Sequence, residues 1–391
     1  MDSIPVLPVE TMRVRRGIKW HRYPEDVLPA WVADMDFPVA PAVQAAVSRV
    51  VEQMDYGYPW REGANGLEAA FVDRMRERFG WAVEVERVRP VTDLVQAIVA
   101  GLVAFSDPGD GVVVQTPIYP PFLGSIAATG RRWVINPLRD DGSRFVLDLD
   151  HLEAVIDERT RILLVCNPHN PTGRVFDREE LEALGRVAVA HDLVIVADEI
   201  HCDLVYPGRR HLPMGSLGEE IAARTVTLNS ATKGFNVAGL RCGVMYFGSE
   251  GLLDRFRRVV PDRLLGSLSS VAIDATVAAW REGQPWLDAL LPLLRRNRDR
   301  VATWAAEVGV RHHPPEGTYL SWLDLGDLDL AGESAQRFLL ERARVALNAG
   351  EDFGPGYERC VRLNFATSPE ILEQVLERMG GALRRAGEAV R

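Results

Sequence analysis

Between residues 111 and 247 the sequence alternates short runs dense in Val, Ile and Leu with longer stretches of helical periodicity. This alternation constrains the fold more than any other feature. A run that is apolar at nearly every position, rather than at every second one, belongs to a strand covered on both faces. Strands of that kind separated by helices join in parallel, so an α/β fold with a mostly parallel central sheet is expected. The predicted strands are 111–116, 132–136, 161–166, 192–197, 225–229 and 242–247. The predicted helices include 40–54, 66–79, 93–105, 178–190 and 252–259.

From about residue 285 the texture changes. Two amphipathic stretches, 286–308 and 369–386, flank shorter strands around 318–325 and 361–366, the pattern of a smaller α+β domain. The first forty residues are Pro-rich and irregular, which suits an arm packed on the body. The expected division is therefore 1–40 as arm, 41–284 as large domain and 285–391 as small domain. A length of 391 residues accommodates this, at roughly 150 residues per domain.

Composition narrows the function classes. A hydrophobic fraction of 47% with 26% charged residues is ordinary for a chain with a sizeable core. The net charge of −10 argues against nucleic acid as a partner, because binding phosphates at scale needs surplus Lys and Arg. The start, Met1-Asp2-Ser3-Ile4-Pro5, has no basic segment followed by an apolar core, and no apolar run approaches a membrane span. A cytoplasmic chain without membrane attachment is expected. Cys166, Cys202, Cys242 and Cys360 are scattered without metal-ligand spacing, so buried free thiols are expected and no metal site.

The strongest local signal is Ser230-Ala231-Thr232-Lys233-Gly234-Phe235-Asn236, directly after an apolar run. Ligands of open α/β sheets bind at the carboxyl ends of strands. A lysine there, in a partly desolvated cleft, has a lowered pKa and forms Schiff bases readily. Alone, such a residue reads as an ordinary loop lysine, but two other strand ends carry matching features. Leu193-Val194-Ile195-Val196-Ala197-Asp198 ends a run on an acid, which is expensive to bury unless it meets a cation. Asn167-Pro168-His169-Asn170-Pro171-Thr172-Gly173 follows a third strand, and its two Asn-Pro steps pre-organise a tight turn compatible with a cis bond.

These three segments, with Val237-Ala238-Gly239-Leu240-Arg241 after the lysine, resemble fold-type I pyridoxal-5′-phosphate (PLP) enzymes of the class I/II aminotransferase family. The resemblance runs from about residue 31 to 367 and implies a role for each matching position. Lys233 would hold the cofactor, Asp198 its protonated ring nitrogen and Asn170 its phenolic oxygen. Ser230, Thr232 and Arg241 would hold its phosphate, and Tyr119 would stack on its ring. Arg362, in Val361-Arg362-Leu363-Asn364, would grip the substrate carboxylate, with Ala33 beside it. Tyr58, in Tyr56-Gly57-Tyr58-Pro59, would reach a neighbouring subunit's site, implying a homodimer with shared sites.

Two departures from the family pattern stand out. Where the family opens a helix with a small residue and Gly for the phosphate, this chain has Val91-Thr92-Asp93-Leu94. Thr92 and the N–H groups of Asp93 and Leu94 can serve at such a helix N-terminus, provided the Asp93 carboxylate points away as an N-cap. Many family members also carry Tyr three residues after the acid. Here His201 stands there and would take over the contact to the phenolic oxygen.

His201, the stretch Pro29-Ala30-Trp31-Val32-Ala33-Asp34-Met35-Asp36-Phe37-Pro38 and Leu347-Asn348-Ala349-Gly350-Glu351-Asp352-Phe353-Gly354 resemble the cystathionine β-lyase branch. That implies cleavage of a C–S bond in cystathionine or another S-substituted cysteine. The same residues would also serve transamination, or a pathway-specific reaction on an elaborate amino acid. A binding role without catalysis is the remaining alternative. Trp60, Arg61 and the 31–37 arm are candidates for lining the substrate pocket.

Overall fold

The structure, a computed structural model, describes residues 4–59, 65–330 and 332–389. The main sheet has seven strands. They are β1 (Val88–Val91), β2 (Gly111–Thr116), β3 (Arg132–Pro137), β4 (Thr160–Cys166), β5 (Val194–Asp198), β6 (Thr225–Asn229) and β7 (Gly243–Phe247). Their spatial order is β1-β7-β6-β5-β4-β2-β3, and every pairing is parallel except those of β7 with β1 and β6. The mostly parallel sheet expected from the apolar runs is therefore present. Of these seven strands the sequence did not reveal β1, whose Val88-Arg89-Pro90-Val91 breaks the apolar pattern with Arg and Pro. It lies at the sheet's edge beside β7 alone, where a proline without an N–H is tolerated.

Because side chains alternate across a strand, the central strands feed two separate cores. Val112, Val114, Ile162, Leu164 and Val196 pack with α1 (Leu94–Phe105). Val113, Leu163, Val165, Ile195 and Ala197 pack on the other face with α2 (Arg178–Ala190). Helix α2 starts at a capping box, Asp177 accepting from the Glu180 N–H while the Glu180 side chain accepts from the Asp177 N–H. Both faces of the sheet are thus covered, which is why its strands read as continuous apolar runs.

A second sheet contains β8 (Arg311–His312), β9 (Leu320–Asp324), β10 (Asn348–Ala349) and β11 (Cys360–Asn364), antiparallel in the order β8-β9-β11-β10. Helices α3 (Gln284–Val308) and α4 (Pro369–Ala389) contribute Leu290, Leu294, Leu372 and Leu376 to a core shared with Leu320, Leu323 and Leu363. The N-terminal arm is more ordered than its proline content suggests. Short helices Val9–Val14 and Ile18–His21 precede a strand, Leu28–Pro29, which pairs in parallel with Val345–Ala346. A buried ion pair between Lys19 and Asp36, at 2.7 Å, holds the arm, and Trp20 Nε1 donates to the same carboxylate at 2.8 Å. All four cysteines are buried and free. Among the described residues no helix is long and apolar enough to cross a membrane.

Candidate active site

The carboxyl ends of β4, β5 and β6 lie side by side, with Cys166 opposite Asp198 and Asp198 opposite Leu228. The predicted chemistry sits at or just beyond each of these ends. The Asn167–Gly173 turn comes after β4, with both of its Asn-Pro bonds cis. Asp198 is the last residue of β5. After β6, Ser230 caps the short helix Ala231–Gly234, which places Lys233 in its final turn. A cavity of about 420 Å³ opens at this edge, lined by Ala33, Thr92, Asp93, Leu94, Tyr119, Asn170, Asp198, His201, Ser230, Thr232, Lys233 and Arg241. One cavity thus gathers twelve predicted positions from well-separated stretches of the sequence.

Burial sets the protonation states. The Lys233 amine donates to the Ala33 carbonyl at 2.7 Å. Desolvation pulls its pKa down to about 8, with Arg362 adding and Asp34 opposing. Asp198 accepts one hydrogen bond, from the Ile200 N–H at 3.0 Å. Desolvation pushes its carboxyl up to about 7. A buried acid in that condition lacks a strong cationic partner. His201 is buried, and its Nδ1 has no hydrogen-bond partner. Desolvation, then Lys233 and Arg362, lower its pKa to about 3, so the ring is neutral at physiological pH.

Arg362 emerges from β11 into a buried position. Its Nη1 donates to Asn170 Oδ1 at 3.0 Å, and its Nη2 donates to Asn348 Oδ1 at 2.6 Å and to the Trp31 carbonyl at 3.1 Å. The guanidinium stands over the Phe353 ring, 5.2 Å from its centroid, and Nε is unpartnered. Desolvation lowers its pKa to about 10, which leaves it charged. It has a full charge, with neutral amide and carbonyl acceptors around it, and that suits it to a carboxylate. Asn170 Oδ1 is committed to Arg362, so its amide nitrogen is the end left for the cavity.

At the other end, Asp93 is the N-cap of α1, and its side chain accepts from the Gln96 N–H at 2.8 Å. The carboxylate therefore does act as a cap, and it also accepts from Arg241 Nη1 at 2.8 Å. Thr92 donates to Gln96 Oε1 through its hydroxyl at 2.6 Å and its N–H at 3.2 Å. Ser230 Oγ donates to the Cys242 carbonyl at 2.6 Å and accepts from the Thr232 N–H at 3.1 Å. These hydroxyls already donate within the protein, so the Arg241 guanidinium and the first turn of α1 are what make this end suited to an anion. Tyr119, half-buried, forms part of the wall between the two ends and meets Phe122 edge-on at 6.1 Å.

These residues fit the cofactor implied by the sequence. PLP has a ring nitrogen to protonate, a phenolic oxygen, an aldehyde and a phosphate. For these the site offers an uncompensated acid in Asp198, the Asn170 amide with the orphaned imidazole of His201, the Lys233 amine, and the anion-binding end. Sequence reasoning missed two groups here. Asn348 holds Arg362, and the Tyr319 hydroxyl donates to the Ala33 carbonyl at 3.0 Å, alongside Lys233. Asn348 sits in the 347–354 motif, which was a usable signal, whereas Tyr319 carries none. Tyr58 is 96% exposed and does not line the cavity of its own chain. Trp60 and Arg61 lie outside the described residues.

Residues 32–379 match the model of the aminotransferase class I and II family. Cystathionine beta-lyase from Corynebacterium glutamicum is 34% identical over 375 residues, covering 96% of this chain and 99% of its own. Among solved structures, OvoB superposes with a TM-score of 0.91 at 38% identity, over 98% of both chains. The PLP-bound C–S lyase from Staphylococcus hominis superposes at 0.89 with 27% identity, over 98% of this chain and 99% of its own.

Proposed function

The chain belongs to the aminotransferase class I and II family, and on that premise we propose that it is a PLP-dependent carbon–sulfur β-lyase. Its substrate is cystathionine or another S-substituted cysteine, and its products are pyruvate, ammonia and a thiol. The observation that carries this reading is a lysine amine with its pKa at about 8, in one cavity with an uncompensated buried acid. The near full-length similarity to C–S lyases supports the reaction.

When bound, PLP supplies an aldehyde for amine exchange and a ring that withdraws electrons from the substrate's Cα. The Lys233 amine would hold the cofactor at that aldehyde carbon and would be released when the substrate amine takes its place. Once free, Lys233 Nζ takes the proton from Cα, its lowered pKa making it a base near neutral pH. Asp198 would keep the ring nitrogen protonated, and that ion pair would relieve the cost of burying its carboxylate. Arg362 receives the substrate carboxylate bidentately and so fixes which bond at Cα faces Lys233. The Ala33 carbonyl orients the amine before and after the transfer. Neutral His201 and the Asn170 amide would donate to the phenolic oxygen. The β-sulfur then leaves with the electron pair of the C–S bond and takes up a proton as the thiol, and water hydrolyses the released enamine to pyruvate and ammonia.

In this reading residues 41–284 hold the cofactor, residues 285–391 bring Arg362, and the arm 1–40 delivers Ala33. The exposed Tyr58 reaches the site of a second copy, so the working unit is a homodimer. Four reduced thiols suit a cytoplasmic setting. A panel of S-substituted cysteines, with pyruvate read through a coupled lactate dehydrogenase, tests the reaction. Pyruvate from cystathionine supports it. Pyruvate from none of the panel, with conversion of intact amino acids to their own keto acids, would make the chain a transaminase.

A further inference from the structure

Asp93 departs from the family pattern at the place where the cofactor's phosphate is expected, and the structure shows what its carboxylate does there. One oxygen caps α1 by accepting from the Gln96 N–H, and the other accepts from Arg241 Nη1, both at 2.8 Å. Both Asp93 and Arg241 line the cavity that holds Lys233. The carboxylate therefore engages the two features that make this end attractive to an anion, the guanidinium and the helix N-terminus. We propose that Asp93 is an internal competitor of the phosphate, and that it holds cofactor affinity down so that PLP exchanges readily. The inference rests on the PLP reading of the site.

A phosphate near −2 and a carboxylate sharing one guanidinium repel each other, while the helix dipole and Arg241 together offer little more than one positive charge. Several ångströms apart at a partly exposed site, that repulsion is worth roughly tenfold in affinity. Asn at this position keeps both the cap and an acceptor for Arg241, and removes only the charge. Ser keeps the cap as well. If Asp93 instead served to orient Arg241 for the phosphate, losing its charge would weaken binding.

The test titrates the full-length, cofactor-free chain with PLP, by absorbance, and with inorganic phosphate, by calorimetry. Wild type, Asp93→Asn, Asp93→Ser and Arg241→Ala are compared. Asp93→Asn and Asp93→Ser are expected to bind both ligands roughly tenfold more tightly at low salt, with the gap closing as ionic strength rises. Arg241→Ala is expected to bind both more weakly. Equal or weaker binding by Asp93→Asn overturns the inference and leaves the cofactor reading intact. A wild-type chain that does not bind PLP overturns both.

Discussion

Asp198→Asn tests the electrostatics of the site without any assay of turnover. Asp198 is 6% exposed, and burial outweighs the Ile200 N–H and Lys233 in lifting its carboxyl from 3.8 to about 7. In the cofactor-free chain, the folded state therefore keeps a proton between those two values that the unfolded state has shed. The state that binds more protons gains as pH falls, so this group makes the fold less stable as pH rises from 4 to about 7. At about 1.4 kcal/mol per pH unit, the loss reaches about 4 kcal/mol and is then constant. Asparagine removes it. Urea unfolding of the cofactor-free wild type and variant is expected to show Asp198→Asn the more stable, by a margin that widens between pH 5 and pH 8. With PLP restored the order reverses, because the ring cation now rewards the carboxylate. A margin independent of pH would refute the reasoning, since it would mean that Asp198 ionises in the fold as freely as in water.

Other residues give sharper functional readouts. Asn348→Ala removes the 2.6 Å hydrogen bond that holds Arg362, and a charge-assisted bond of this kind is worth about 1.5–3 kcal/mol. Steady-state kinetics are expected to show kcat/KM reduced roughly 10- to 100-fold, mainly through KM. Tyr58→Ala and Lys233→Ala are each expected to inactivate a homodimer, but chains carrying one change each should complement on mixing, since every hybrid assembles one intact site. Recovery of no activity in the mixture would show that Tyr58 serves no neighbouring site.

Much of the fold was legible because burial on both faces leaves a strong trace. Strands β2 and β6 appear in the sequence with their observed bounds, and β5 ends one residue later than expected, at Asp198 itself. Strand β1 was hidden because an edge strand needs neither a continuous apolar run nor every N–H. The site was legible where chemistry demands rare combinations, as at Lys233, Asp198 and the Asn-Pro turn. Asn348 and Tyr319 escaped because each acts through another group, Arg362 or the Ala33 carbonyl, across contacts set only by tertiary packing. The sequence raised the charge of Asp93 as a question. Only the geometry shows that it both caps α1 and engages Arg241.

The most direct test of the central claim measures pyruvate and thiol together during turnover of cystathionine by the wild type and by Lys233→Ala. The wild type is expected to release the two in equal amounts, and Lys233→Ala to release neither. Equal release by the variant would remove Lys233 from the chemistry. Formation of the keto acid of intact cystathionine, with stoichiometric pyridoxamine phosphate and no thiol, would contradict β-elimination.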